Sequence, residues 1–323
     1  MNKKDLRIVF MGTPDFAVPS LKAILTAGFR VVGVITAPDR PSGRGKKVSV
    51  SAIKRFSLEQ NLRLLQPENL KNESFINELK DLKANLQVVV AFRMLPKAVW
   101  SMPKFGTFNL HASLLPQYRG AAPINHAIIN GEKYTGLTTF FLDAFIDTGK
   151  IIEQKRIQIG EQENAGSLHD RMMLVGADLV IETIEIIMKG EIKVKTQAEM
   201  IPSDTVLYPA PKIFKVDCRI NWEQTVTQIN NFIRGLSPYP TAFTYFISPS
   251  NNEFLVKVYR ATKELVSHNI ECGQLITDGK NEIKVAVSGG YIQIQELQLA
   301  GKKRLKVDEF LRGNSITGDW KVQ

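Results

Sequence analysis

Leu6-Arg7-Ile8-Val9-Phe10-Met11-Gly12-Thr13-Pro14-Asp15-Phe16-Ala17, near the start of the 323-residue chain, joins an apolar run to a turn and the start of a helical pattern. Leu6–Met11 is a short apolar run of the kind that forms a strand buried on both faces. Gly12 to Asp15 reads as a turn. Helical periodicity follows from Phe16 to Ala27 and stops at Gly28. Val31–Thr36 then reads as a second strand. A strand, helix and strand in this order predict parallel pairing with a right-handed crossover. No Gly-x-Gly-x-x-Gly follows the first strand, and Gly12-Thr13-Pro14 cannot replace it, which argues against a dinucleotide.

The alternation continues downstream. The pattern predicts helices near Ser51–Gln60 and Ser74–Leu82, and strands at Leu62–Leu65 and Gln87–Ala91. The longest helical stretch runs from Ser167 to Met188, with Leu168, Met172, Val175, Leu179 and Ile186 on one face. Glu191 to Lys212 is polar and carries Pro202, Pro209 and Pro211, and it reads as a linker. Beyond it, Asn221 with Gln224 three residues later predicts a helix start that buries Val226, Ile229 and Ile233 and ends at Gly235. Pro238 and Pro240 prevent continuation. Short strands follow at Leu255–Tyr259, Gly273–Thr277, Glu282–Val287 and Tyr291–Leu299, separated by turns at Asp278-Gly279 and Ser288-Gly289-Gly290. Ile292 and Ile294 share one parity and Leu297 and Leu299 the other, so a bulge is expected near Glu296. Such a run of short strands predicts a small barrel. The expected division is residues 1–190, a linker at 191–212 and a second domain at 213–323.

Composition bounds the partners. Hydrophobic residues make up 44% and charged residues 23%, as in a soluble globular chain of about two domains. The formal net charge is +10, with 15 basic and 11 acidic residues from Thr205 onward, so +4 lies there and +6 before it. Both halves are basic, which suits a polyanion lying across both. Cys218 and Cys272 match no zinc spacing, no His-Glu-x-x-His occurs, and no metal is expected. Pro14-Asp15 cuts the first apolar run too short for a signal peptide, and no segment is long enough to span a bilayer. The reading is a cytoplasmic monomer.

Chemistry gathers in Gly106-Thr107-Phe108-Asn109-Leu110-His111. On a strand, Asn109 and His111 project from one face, at the carboxyl end where open α/β sheets bind ligands. An amide offers a neutral donor to an oxyanion, and an imidazole can donate or carry a proton. Asp147, in the turn before Gly149, supplies a carboxylate able to orient the imidazole. By spacing alone these residues also fit a strand end and an ordinary turn, and spacing does not show that they meet. A second feature is the loop Thr36 to Lys47, with four cations (Arg40, Arg44, Lys46, Lys47), one acid, two glycines and two prolines. It suits either contact with phosphates or a solvated surface loop.

The set Asn109-x-His111-x-Ser113-Leu114-Leu115-Pro116-x-Tyr118-Arg119-Gly120, with Asp147-Thr148-Gly149 after it, resembles the folate-dependent formyltransferases. The resemblance implies a Rossmann-like catalytic domain followed by a smaller OB-like barrel. It implies Asn109, His111 and Asp147 as the catalytic trio, and Ser113, Leu114, Leu115 and Pro116 as the loop that holds 10-formyltetrahydrofolate. The basic loop, Phe10-x-Gly12-Thr13-Pro14-Asp15-Phe16-Ala17 and Ile233-Arg234-Gly235-Leu236-Ser237-Pro238 are similar to the branch that formylates charged initiator tRNA. In that branch the loop inserts toward the acceptor end, so Arg40, Arg44, Lys46 and Lys47 are implied tRNA contacts, and the barrel assists. The chain departs from the commoner pattern at Phe92-Arg93-Met94, beside the folate pocket, at Ala112 and at Thr241. Two other acceptors keep the same chemistry, glycinamide ribonucleotide and a nucleotide-linked amino sugar. A non-catalytic RNA-binding protein explains the charge but not the joint occurrence of the motifs.

Overall fold

Ile8 to Met11 are wholly removed from solvent and form strand β1 (Arg7–Gly12) in the computed structural model, which describes residues 2–42, 47–201, 205–317 and 319–323. Two units are present. The first comprises Met1–Gly120, Thr135–Ile157 and His169–Pro209, the second Ala121–Tyr134, Gln158–Leu168 and Ala210–Gln323.

In the first unit β1 pairs in parallel with β2 (Arg30–Ile35), and β3 (Arg40–Ser42) pairs antiparallel with β4 (Lys47–Ser49) as a separate ribbon. The main sheet continues through β5 (Leu64–Leu65), β6 (Leu86–Val90), β7 (Thr107–His111), β8 (Tyr134–Phe141) and β9 (Ile151–Gln158), in the spatial order β5-β2-β1-β6-β7-β8-β9. The β1–β6 and β6–β7 pairs are parallel, and β7–β8 is antiparallel. This is the Rossmann-like α/β sheet that the opening βαβ predicts. The order reverses at β1, so the carboxyl ends of β1, β6 and β7 flank a switch point where ligands bind in such sheets.

Helices cover both faces. Phe75, Leu79 and Leu82, on and just after the helix Glu73–Asp81, pack with Val9 and Met11. The helix Ala165–Lys189 lies on the other side, where a methyl on Gly176 would meet Leu110 Cδ2 at 2.8 Å. Close approach at Gly176 also brings Thr183 Oγ1 within 2.8 Å of Thr139 Oγ1. The buried row of that helix is Leu168, Met172, Leu179, Val180, Ile184 and Ile187. Val175 and Ile186, expected on this face, are only half-buried because the stripe follows Gly176 and Val180 instead.

The second unit holds the antiparallel strands β10 (Ala242–Ile247), β11 (Glu253–Leu265), β12 (Leu275–Thr277), β13 (Ile283–Val287), β14 (Gly290–Leu299), β15 (Leu305–Lys306) and β16 (Lys321–Val322). Their order is β12-β13-β14-β11-β10-β16, with β15 on β14. Residues 320–323 form the seam. Val322 N donates to Gly273 O at 2.8 Å and Leu275 N to Trp320 O at 2.9 Å, while Gln323 N donates to Tyr245 O at 3.0 Å. The result is a nearly closed, OB-like barrel around Ile229, Ile233, Phe246, Val256, Ile283 and Ile294. The expected bulge is present. Val258 pairs with Leu297, Arg260 with Glu296 and Ala261 with Ile294, so Ile292, Ile294 and Leu297 all stay buried.

Two local expectations are corrected. The helix Val226–Leu236 starts at Thr225, whose N–H donates to Gln228 Oε1 at 3.1 Å and whose hydroxyl accepts from Gln228 N at 3.3 Å. Asn221 instead accepts from Glu223 N at 3.0 Å in a local turn, so Asn221 and Gln224 do not form the cap. Gly235 lies inside the helix rather than after it. A methyl there would meet Ile129 Cγ1 at 2.6 Å, so its role is to admit the helix Pro123–Ile129, whose Asn125 donates to Gly235 O at 2.8 Å.

The two cysteines differ in environment. Cys218 is 1% exposed, and burial, with the neighbouring Asp217 charge, pushes its thiol pKa up. Cys272 is exposed. A thiol reagent near neutral pH is expected to label Cys272 in the native protein and Cys218 only after unfolding. Two equivalents reacting equally fast under native conditions would contradict this burial.

Candidate active site

Strand period places Asn109 and His111 on one face of β7, and Leu110 on the opposite face under Gly176. Val88, Val89 and Val90 on one side and Phe140, Thr139 and Thr138 on the other fix their register. The Asn109 carboxamide is half-buried and has no hydrogen-bond partner among the described residues. His111 is 6% exposed. Its Nε2 lies 2.9 Å from the Tyr118 carbonyl. A carbonyl only accepts, so Nε2 carries the proton and Nδ1 is left to exchange one. Nδ1 faces Asp147 Oδ2 at 3.8 Å, and Gly120 N donates to that same oxygen at 3.0 Å. The structure thus brings His111 and Asp147 together. The tautomer is set by Tyr118 rather than by the carboxylate.

Asp147 has φ 54° and Tyr118 has φ 58°, both left-handed. The turn that holds Asp147 is tight. Asp143 Oδ1 accepts from Phe145 N at 3.0 Å and Thr148 Oγ1 at 2.8 Å. Gly149 then passes so close to β8 that a methyl would lie 1.6 Å from Phe141 O.

Ser113 and Leu115 turn polar groups inward. Ser113 Oγ donates to Gln117 O at 2.6 Å. Thr138 Oγ1 donates to Ser113 O at 2.7 Å and accepts from Leu115 N at 3.1 Å. Gln154 Nε2 donates to Leu115 O at 2.9 Å. Leu115 packs with Phe140 and Ile151, Pro116 is buried, and Leu114 fills the space over Gly136. These bonds brace Ser113 and Leu115 against β8 and β9.

A cleft of about 540 Å³ lies in the same unit, lined by Glu68, Arg93, Met94, Leu95, Trp100 and Ala144 among others. Arg93 Nη1 donates to Glu68 O at 2.7 Å and Nη2 to Pro67 O. Burial, with Arg40 as a second cation, pulls its pKa below the usual guanidinium value. Ala144 connects this cleft to the turn that carries Asp147.

A family model described as formyl transferase matches residues 6–184, and one described as formyl transferase, C-terminal domain, matches residues 212–315. The chain belongs to the formyl transferase family. It is 53% identical over 322 residues to a methionyl-tRNA formyltransferase of Bacteroides thetaiotaomicron, covering 100% of both chains. A methionyl-tRNA formyltransferase of Flavobacterium johnsoniae is 53% identical over 317 residues, 98% of this chain and 99% of that one. Among solved structures, the sugar 3N-formyl transferase WlaRD, crystallised with dTDP and 5-N-formyl-THF, superposes with a TM-score of 0.64. It is 22% identical and spans 92% of this chain and 99% of its own, a likeness of fold.

In this formyl transferase the basic loop begins as the β3–β4 ribbon, with Arg40 paired to Ser49 and Ser42 to Lys47. Arg40 is exposed, Lys47 opens β4, and Arg44 and Lys46 lie outside the described residues. The loop's one acid does not neutralise it. Asp39 is engaged by Lys54 Nζ and by Gln66 Nε2 at 3.0 Å, and these hydrogen bonds, Lys54 first, hold its carboxyl pKa down. Sequence reasoning gave no role to the Tyr118 carbonyl, Gly120 N–H, Thr138 or Gln197. The first two are backbone groups inside the quoted motif, and a backbone role leaves no mark on residue type.

Proposed function

We infer that the chain transfers the formyl group of 10-formyltetrahydrofolate to the α-amino group of initiator methionyl-tRNA, giving N-formylmethionyl-tRNA. The observation that carries this reading is identity of 53% along the whole chain with enzymes of that name. The first unit suits a folate. Its cleft has a size typical of small-molecule sites, apolar walls at Leu95 and Trp100, and a cation at Arg93 for an acidic tail. Among the described residues no helix is long and apolar enough to cross a membrane. We place the enzyme in the cytoplasm, as a monomer, with residues 1–190 as the catalytic part and 213–323 as the tRNA-binding part.

The attacking group is the substrate's own amine. Its ordinary pKa, about 7.7–8.0, leaves a useful neutral fraction near pH 7, so orientation matters more than a strong base. As the amine nitrogen bonds to the formyl carbon, negative charge grows on the formyl oxygen. The unpartnered Asn109 amide donates to it. His111 Nδ1, held beside the Asp147 carboxylate, takes the proton that the amine loses and returns it toward the departing nitrogen. Ser113 to Pro116 act as the wall that shapes the folate site, and Arg40, Arg44, Lys46 and Lys47 meet phosphates of the acceptor end.

Transfer of labelled formyl from 10-formyltetrahydrofolate tests this, with charged initiator tRNA, free methionine and a nucleotide-linked amino sugar as parallel acceptors. Label on the charged tRNA alone is expected; label only on a small acceptor would move the chain to another branch. Arg44→Ala should weaken use of tRNA and spare folate binding. Each lost phosphate contact should reduce the slope of log affinity against log salt by roughly 0.7–0.9. An unchanged slope would remove the loop from the RNA contact.

A further inference from the structure

We propose that two points on the polar segment after the long helix, Gln197 and the stretch Val206–Tyr208, are positioning elements of the acyl-transfer site. Gln197 acts on Asp147 and Tyr208 acts on the partner of His111. This rests on the roles given above to His111 and Asp147.

Gln197 is 3% exposed, although it sits in a polar run. Its Nε2 donates to Asp147 O at 2.8 Å and Gly149 O at 3.0 Å. Its Oε1 accepts from Arg119 Nε at 3.0 Å and Nη2 at 2.6 Å. Only a carboxamide satisfies this arrangement. A carboxylate keeps the guanidinium but turns lone pairs on two carbonyls, and an alkyl chain loses both ends. Arg119 lies next to Gly120, whose N–H donates to the Asp147 carboxylate. Gln197 therefore ties together the two chain segments that present Asp147.

The second point is a clasp. Tyr118 N donates to Tyr208 O at 2.8 Å, Tyr208 N donates to Gln117 Oε1 at 2.9 Å, and Gln117 Nε2 donates to Val206 O at 2.7 Å. The Tyr118 and Tyr208 rings stack, with centroids 6.2 Å apart. The clasped residue is the one whose carbonyl receives His111 Nε2.

Backbone conformation supplies an independent sign. Tyr118 and Asp147 are both non-glycine residues in the left-handed region. Such residues persist only where their surroundings enforce the conformation, and they cluster where geometry serves chemistry. Each of these two is bonded through its own backbone to the segment. It therefore holds a histidine tautomer at one end and a carboxylate at the other.

The test compares Gln197→Glu, Gln197→Leu, Asp147→Asn, the double variant Asp147→Asn with Gln197→Glu, and Lys193→Ala as an exposed control. Gln117→Leu, which removes both side-chain bonds of the clasp, is expected to lower kcat with little change in KM, and wild-type kcat there would overturn the role of Val206–Tyr208. Formyl transfer to charged tRNA is measured as kcat and KM across pH. Gln197→Glu keeps shape and the Arg119 contact, so it reads the proposal even if Gln197→Leu does not fold. Gln197→Glu is expected to lower kcat about 10-fold or more, leave both KM values within about two-fold, and shift the pH profile of kcat. The double variant should be no slower than its slower parent, because both changes act through one carboxylate. A slow Asp147→Asn with wild-type kcat and pH profile in Gln197→Glu would overturn the positioning role alone. Wild-type kcat in Asp147→Asn would overturn the assignment of His111 and Asp147 and this inference with it.

Discussion

Asn109→Ala is expected to lower turnover about 100- to 1000-fold, the usual cost of removing one donor to a developing oxyanion. Asn109 stands at the carboxyl end of β7, two residues before His111 on the same face, and its amide has no hydrogen-bond partner among the described residues. Truncation therefore leaves no orphaned buried group, and melting should change little. The loss should fall on kcat at saturating substrates, since the donor matters most when charge has formed. Asn109→Asp, similar in shape but without the donor, should be at least as slow. Near wild-type turnover in Asn109→Ala at saturation would end the oxyanion role.

Gly149→Ala should damage both stability and activity. Its methyl would lie 1.6 Å from Phe141 O and 3.2 Å from Phe140 Cδ2. Phe141 cannot yield easily, because its N–H donates to Lys150 O at 3.0 Å in the same hairpin. Relief must come from displacing the turn, at about 3 kcal/mol, the upper part of the range for overpacking. On a scale of about 2–4 °C per kcal/mol, melting should fall by roughly 6–12 °C. Displacement moves Asp147 and also the Gly149 carbonyl that Gln197 binds, so turnover should fall with it. Gly313→Ala is the matched control, with no atom within 4 Å of the added carbon. Unchanged melting and turnover in Gly149→Ala would show that the turn has room to adapt.

These effects bear on what the sequence could reveal. The β1–helix–β2 unit was legible because its strands are buried on both faces and read as unbroken apolar runs. The bulge at Glu296 was legible because Ile294 and Leu297 demand burial from opposite parities. Strand β10 was missed. Its outward residues, Phe243, Tyr245 and Ile247, are as apolar as its inward Ala242, Thr244 and Phe246, so no polar alternation marks it. In β16 only two residues pair, with partners far back in the chain, and no local pattern encodes that. At the site, strand parity alone placed Asn109 and His111 together. It could not find the Tyr118 carbonyl, which acts through backbone, or Gln197, which meets Asp147 across 50 residues. The cap at Thr225 competed with Asn221 at the same spacing, and only tertiary packing chose between them.

The seam of the barrel also sets an order of events during synthesis. Until residues 320–323 have emerged, the Gly273–Leu275 edge and the free edge of Ala242–Ile247 both lack the strand that joins them. At about 5–20 residues per second, the interval between completing β12 and completing the seam is a few seconds. Two open edges exposed for that long are templates for another nascent chain. Crowding on a polysome is thus a hazard to the barrel more than to the parallel sheet, whose strands are already made.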